Sequence, residues 1–186
     1  MPRASELQNV ILRREDLSEH AEVEALQRLA FGDPDTLPSL VAALRRSNRR
    51  LPTVSIVAVT NDNIVGHIML SHSWLDAPQR LVDTYVLSPL GVHPAWQGGG
   101  IGSRLIAEAL IAADQMRVPL VFLEGDPGYY TSHGFERADG RGFRSPSLRI
   151  PEPAFQVALL SAYEPWMTGT LVYSETFWAL DCVGLR

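Results

Sequence analysis

At 186 residues, 46% hydrophobic and 20% charged, the chain has the size and balance of a globular protein with a sizeable core. Its net charge of −5 argues against a nucleic-acid partner, whose affinity rests on neutralising phosphate, and leaves a cationic substrate unopposed. All 16 basic residues are arginine, and without lysine there is neither a Schiff-base amine nor a GK[ST] phosphate loop.

The N-terminal residues lack the apolar stretch of a secretory signal, and no apolar run reaches the roughly 18 residues of a membrane span. The lone Cys182 allows no internal disulfide. A cytoplasmic protein is expected, with neither a nucleic-acid nor a membrane partner.

Val10–Arg13 reads as a strand and Asp16–Phe31 as a helix with apolar residues near helical spacing. The stretch 31–38, FGDPDTLP, reads as a loop. A second helix around Leu40, Val41 and Leu44 runs into the basic cluster Arg45–Arg50, expected to be a solvated helix end. Val54–Val59 and Ile64–Ser71 form a hairpin across a TNDN turn. Leu81–Val92 is a strand that Pro89 and Gly91 interrupt, which points to a bulge. Gly102–Met116 is the strongest helix pattern, with Leu105, Ala109, Ala112 and Met116 along one face. Val118–Leu123 reads as a buried strand, and Pro127–His133 as a short helix stopped by Gly134. Phe135–Ala138 and Phe155–Leu160 complete the expected strands. No repeat or linker divides the chain, so residues 1–186 are expected to form one domain.

The stretch from Gly91 to Ile106, GVHPAWQGGGIGSRLI, carries five of the 14 glycines. Four of them, Gly98, Gly99, Gly100 and Gly102, open the strongest helix. Bare backbone N–H groups at a helix N-terminus suit an anion, above all a phosphate or diphosphate. Ser103 adds a hydroxyl, as a contact or a helix cap. A Rossmann dinucleotide site would also use Glu124, at the end of the next strand. Its G-x-G-x-x-G fingerprint fails: counted from Gly98 the last position is Ser103, and from Gly100 it is Leu105. HPAWQ also separates the strand from the glycines.

Gln97-Gly98-Gly99-Gly100-Ile101-Gly102 matches Q/R-x-x-G-x-G/A, and Tyr130-Thr131-Ser132-His133-Gly134-Phe135 matches Y-x-x-x-G-F. In these motifs the chain resembles the GNAT superfamily of N-acetyltransferases, and particularly its small bacterial predicted members. The likeness extends to the N-terminal helix, IVGHIMLSHS and the tail. It implies an α/β (α+β) fold: a mixed, mostly antiparallel sheet flanked by helices, its bulged fourth strand splayed from the fifth. The core motifs would lie in about 81–138, with 139–186 completing the sheet and substrate pocket.

The resemblance implies acetyl-CoA as co-substrate, and no metal is expected because no His, Cys or carboxylate group has zinc-site spacing. The backbone of Leu90, Gly91 and Val92 would pair with the pantetheine arm, and Val92 N–H would polarise the thioester carbonyl. The main chain from Gln97 to Ser103, with Gly98, Gly99, Gly100, Ile101 and Gly102 between them, would hold the diphosphate. Tyr130 is the implied general acid for the departing thiolate, and Tyr129 a packing residue or a contact along the arm. The base stays open among Glu124, Asp126, His93, His67 and His72, or a water relay; His67 and His72 fall on opposite faces of their strand.

The acceptor is expected to be an amine on a small molecule or peptide, and the enzyme a monomer or homodimer. Its pocket is expected from the first helices, residues 31–38, SHSWLDAPQR and the C-terminal segment. Core packing is expected for most of Trp74, Trp96, Trp166 and Trp178. A non-catalytic acyl-CoA-binding module would keep the glycine loop and need no general acid.

Overall fold

The computed structural model describes residue 7, residues 9 to 47 and residues 50 to 184. Nine strands and five α-helices alternate along them: β1 Ile11–Arg14, α1 His20–Phe31, α2 Thr36–Arg46, β2 Val54–Thr60, β3 Asn63–Asp76, β4 Leu81–Val92, α3 Ile101–Gln115, β5 Leu120–Glu124, α4 Pro127–Tyr130, β6 Glu136–Arg137, β7 Phe143–Arg144, β8 Phe155–Leu159, β9 Gly169–Val172 and α5 Glu175–Ala179. The sheet runs β1-β2-β3-β4-β5-β8-β6, and β9 pairs with β3 beyond the end of β2 and with β7. Every pair on the main path is antiparallel except β4–β5.

Alternation along the strands divides the core into two layers. Val57, Met69, Val86, Phe122 and Val157 face α1, α2 and α5. Ile56, Ile68, Leu70, Tyr85 and Val121 face α3. Helix α3 follows the expected pattern, burying Ile101, Leu105, Ile106, Ala109, Ala112 and Ala113. Its start has no side-chain cap, since Gly100 occupies that position. Burial therefore holds this helix, at about 1.5–3 kcal/mol for each large apolar side chain.

Two boundaries differ from expectation. Helix α2 begins at Thr36, inside the predicted loop, because Pro38 is tolerated in a first helical turn where no N–H is needed. Strand β3 runs on to Asp76, its far end held between β4 and β9. The basic cluster is also not simply solvated. The Arg45 side chain is only 9% exposed and pairs with Glu15 and with Glu24, at 3.1 Å for the latter. Arg49 of the same cluster lies outside the described residues.

The bulge falls where Pro89 predicts it. Leu70 faces Leu87 and Ile68 faces Leu90, so Met69 alone spans Ser88 and Pro89. The parallel β4–β5 pair has only two positions, Tyr85 with Val121 and Val86 with Phe122. Beyond them β4 stays with β3, while Leu123 and Glu124 of β5 stay with β8. The sheet is thus open along one seam.

Candidate active site

The seam exposes backbone in a definite pattern. His93 N–H donates to Val65 O at 2.9 Å, one pair past Gly66–Val92. Antiparallel pairs alternate, so Gly91 exchanges its hydrogen bonds with His67, while the N–H and C=O of Leu90 and Val92 point into the seam. The Val92 carbonyl accepts from Gln97 Nε2 at 3.0 Å, which ties the glycine loop to the strand end. Of the three residues expected along a pantetheine arm, Leu90 and Val92 present polar backbone there, and Gly91 does not.

The glycines answer to separate demands. Gly98 and Gly100 have φ of +75° and +79°, and their missing Cβ atoms would meet nothing within 4 Å. There the requirement is conformational, since an L-residue in that region costs roughly 1–2 kcal/mol. A Cβ on Gly99 would meet the Leu7 side chain, and one on Gly102 would lie 2.5 Å from the Tyr129 hydroxyl. Helix α3 starts at Ile101, so the N–H groups of Ile101, Gly102 and Ser103 have no acceptor within the helix.

Ser103 does not cap the helix; its hydroxyl meets His133 Nε2 at 2.7 Å. His133 Nδ1 faces the Tyr129 carbonyl at 2.8 Å and must carry the hydrogen, so in the neutral ring Nε2 accepts from Ser103. This contact binds the helix start to α4. Arg104, one residue on, sends Nη2 to Val10 O at 2.7 Å and so faces away from the loop.

Leu90, Val92, Gln97, the loop glycines 98, 100 and 102, Ile101, Ser103, Tyr129 and Tyr130 together line a groove of about 490 Å³. The Tyr130 ring lies against Gly125, where a Cβ would come within 2.4 Å of it, and edge-on to Tyr129 and Phe135. Burial pushes its phenol up to about 12, helped by the neighbouring Tyr129. Burial raises Tyr129 as well.

A second cavity, of about 290 Å³, borders β4 on the other side of the bulge at Val86, Leu87 and Ser88. Residues 31 to 40 and the segment from Tyr173 to Gly184 form much of its wall, as the sequence suggests. SHSWLDAPQR contributes none of the lining. Glu124 lies in this wall, accepting from Tyr173 Oη at 2.7 Å and from Gly184 N–H at 2.9 Å. Burial raises its carboxyl, and the two hydrogen bonds oppose the shift.

The other candidate bases are engaged elsewhere. His67 is fully buried; desolvation, with the Arg45 charge behind it, lowers it to about 3. His72 Nε2 meets Asp83 at 2.8 Å on the opposite face. His93 Nδ1 accepts from Ala95 N–H, and Asp126 caps α4 through Gly128 N–H. None of the four tryptophans is fully buried: Trp178 is 42% exposed, and Trp74, Trp96 and Trp166 are half-buried. Trp96 and Trp166 pack against the two core layers from their margins with one edge wet, so the expectation of core packing holds for these two. Trp96 lines the groove, and none lines the cavity. Among the described residues no group of three metal-ligating side chains converges, and no helix is long and apolar enough to cross a membrane.

Sequence reasoning missed Gln27. Ser55 has one hydroxyl hydrogen, which it gives to Glu15, so His67 Nε2 must donate to Ser55 Oγ at 2.8 Å. His67 Nδ1 then accepts from Gln27 Nε2 at 2.7 Å. That turns Gln27 Oε1 towards Gly91, where a Cβ would lie 2.6 Å from it. A glutamine inside an apolar helix face was the available signal.

Residues 52–137 match the family described as acetyltransferase (GNAT) domain. An Escherichia coli K12 protein, uncharacterized N-acetyltransferase YjhQ, is 32% identical over 138 residues, 74% of this chain and 75% of its own. The crystal structure of the E. coli GNAT family N-acetyltransferase YhbS in complex with CoA superposes with a TM-score of 0.81 at 26% identity, covering 91% of this chain and 92% of that one. A GNAT family acetyltransferase from Brucella melitensis, in complex with acetyl-CoA, gives 0.72 at 27% identity over 90% and 97%.

Proposed function

The chain belongs to the GNAT family of N-acetyltransferases, and we propose that it moves the acetyl group of acetyl-CoA to a primary amine by direct attack on the thioester. The observation that carries this reading is the open seam between β4 and β5, with the glycine loop and Tyr130 on one side and the Glu124 cavity on the other.

On this reading the free N–H groups of Ile101 to Ser103 and the loop backbone hold the diphosphate, and the helix macrodipole adds to their pull. Leu90 and Val92 pair with the pantetheine amides. Val92 N–H donates to the carbonyl oxygen as negative charge gathers there. The amine attacks the carbonyl carbon from the cavity side and loses a proton to the Glu124 carboxylate. Its burial favours taking one up. As the C–S bond breaks, Tyr130 donates a hydrogen bond to the departing sulfur, and CoA leaves as the thiolate, which takes its proton from solvent.

Thiol release from acetyl-CoA across a panel of primary amines tests the proposal. Turnover with at least one amine, dependent on Glu124, is expected. Tight CoA binding with no release for any amine would instead make the chain an acyl-CoA-binding module.

A further inference from the structure

We propose that the natural acceptor is a small amine carrying a second positive charge, such as a short aliphatic diamine, and that Asp33 recognises that second charge. The inference rests on the acetyl-transfer reading and deepens it.

Among the described residues, the lining of the Glu124 cavity contains no arginine or histidine, although the chain has 16 arginines. It contains three carboxylates from three different segments: Asp33 before α2, Glu124 at the end of β5 and Asp181 after α5. Arg149 already pairs with Asp181, at 2.5 Å. Asp33 takes part in no ion pair among the described residues, and Glu124 feels the Arg149 charge only through space. Asp33 receives the backbone N–H groups of Asp35 and Thr36 on one oxygen, Oδ1, at 3.0 and 2.8 Å. These bonds lower its carboxyl, the Thr36 bond most, so it is an anion throughout the neutral range. The second oxygen makes no hydrogen bond among the described residues.

Leu37, Leu40, Val86 and Phe177 give the cavity apolar wall beside polar Thr36, Ser88 and Tyr173. The volume of about 290 Å³ lies at the lower edge of the roughly 300–1,000 Å³ common for small-molecule sites. This suits a compact molecule with a hydrocarbon body. An acceptor bearing a carboxylate at its far end would set that charge beside Asp33, which no ion pair offsets among the described residues. One amine, its ammonium proton lost to solvent, attacks and gives its second proton to Glu124, and the other stays charged at Asp33.

The test compares thiol release for a linear monoamine, the α,ω-diamine of equal chain length and the matching ω-amino acid. The expected order of kcat/KM is diamine, monoamine, amino acid. A diamine advantage of about fivefold matches one partly exposed ion pair. In Asp33→Asn, which keeps the Oδ1 acceptor of the α2 turn, the diamine-to-monoamine ratio should collapse towards one. Raising the salt concentration should shrink the ratio in wild type and leave it flat in the variant. A ratio near one in wild type, or one that survives in Asp33→Asn, overturns the assignment. If no amine is acetylated, the transfer reading fails on its own account. Calorimetric titration of the CoA-bound protein with the same three compounds then decides the charge preference, equal affinities refuting it.

Discussion

Tyr130 lines the groove as a half-buried side chain, and its environment limits what it can do. A phenol pushed up to about 12 remains protonated at neutral pH and can only donate. Against a thiol of reference pKa near 8.5, full proton transfer is uphill by roughly 3 units, about 4–5 kcal/mol. Its contribution is therefore a hydrogen bond to the developing thiolate. Tyr130→Phe should lower kcat by about 10²-fold, at the low end for such groups, with acetyl-CoA affinity unchanged. A stopped assay of thiol release and a CoA titration check both halves, and a variant as fast as wild type removes Tyr130 from the reaction. The wild-type pH profile should show no limb from Tyr130 between pH 6 and 9. The tyrosine itself was legible from Y-x-x-x-G-F. Its raised pKa was not, because the burial comes from Gly125 and Phe135, which only the fold brings against the ring.

At the level of elements, the glycine loop was legible and the reasons for its glycines were less so. The sequence pattern assigns the four glycines from Gly98 to Gly102 one cause, a ligand, and Gly91 a bulge. In the fold, Gly98 and Gly100 meet a backbone need, Gly102 yields to Tyr129, and Gly91 yields to Gln27 on α1. The last contact joins residues 64 positions apart in the chain, and local pattern carries no record of it. It also makes a prediction about how α1 docks on β4. Gly91→Ala should overpack this junction and cost about 1–3 kcal/mol. Gln27→Ala removes the obstruction, so the double variant should lose clearly less than the sum of the two single losses. Urea unfolding of all four proteins measures the difference, and strict additivity would mean that Gln27 and Gly91 do not constrain each other. The seam behaves differently from the loop. Pro89 and Gly91 announced a bulge in β4, and only the pairing register revealed that Leu90 and Val92, not Gly91, turn their backbone outwards.

Across the whole molecule, the order of elements along the chain was readable from alternation and helical periodicity, and the helix-flanked mixed sheet from the motifs that resemble the GNAT superfamily. The short β7 and β9 were not: two and four residues carry too little pattern, and tertiary pairing decides them. The buried network of Glu15, Ser55, His67 and Gln27 spans β2, β3 and α1, and it links global stability to pH. His67 has a folded-state pKa of about 3 against 6.5 for the free side chain. Between those values the unfolded chain binds a proton that the native state refuses. Stability supplied by keeping this ring neutral is complete above pH 6.5 and is lost as pH falls towards 3, by at most about 1.4 kcal/mol per unit. Urea midpoints measured from pH 7 to 4.5 should therefore fall less steeply in His67→Asn than in wild type. Parallel curves would show that His67 does not drive the loss.

A sheet that parts along one line is also a partition with a doorway in it. The groove beside the glycine loop and the cavity beside Glu124 adjoin β4 on either side of Ser88 and Pro89. On the proposed reading, donor and acceptor approach this doorway from separate rooms and meet only at the threshold. Spent CoA can withdraw by its own entrance while the acetylated product leaves by the other, so neither must wait for the other to clear the way.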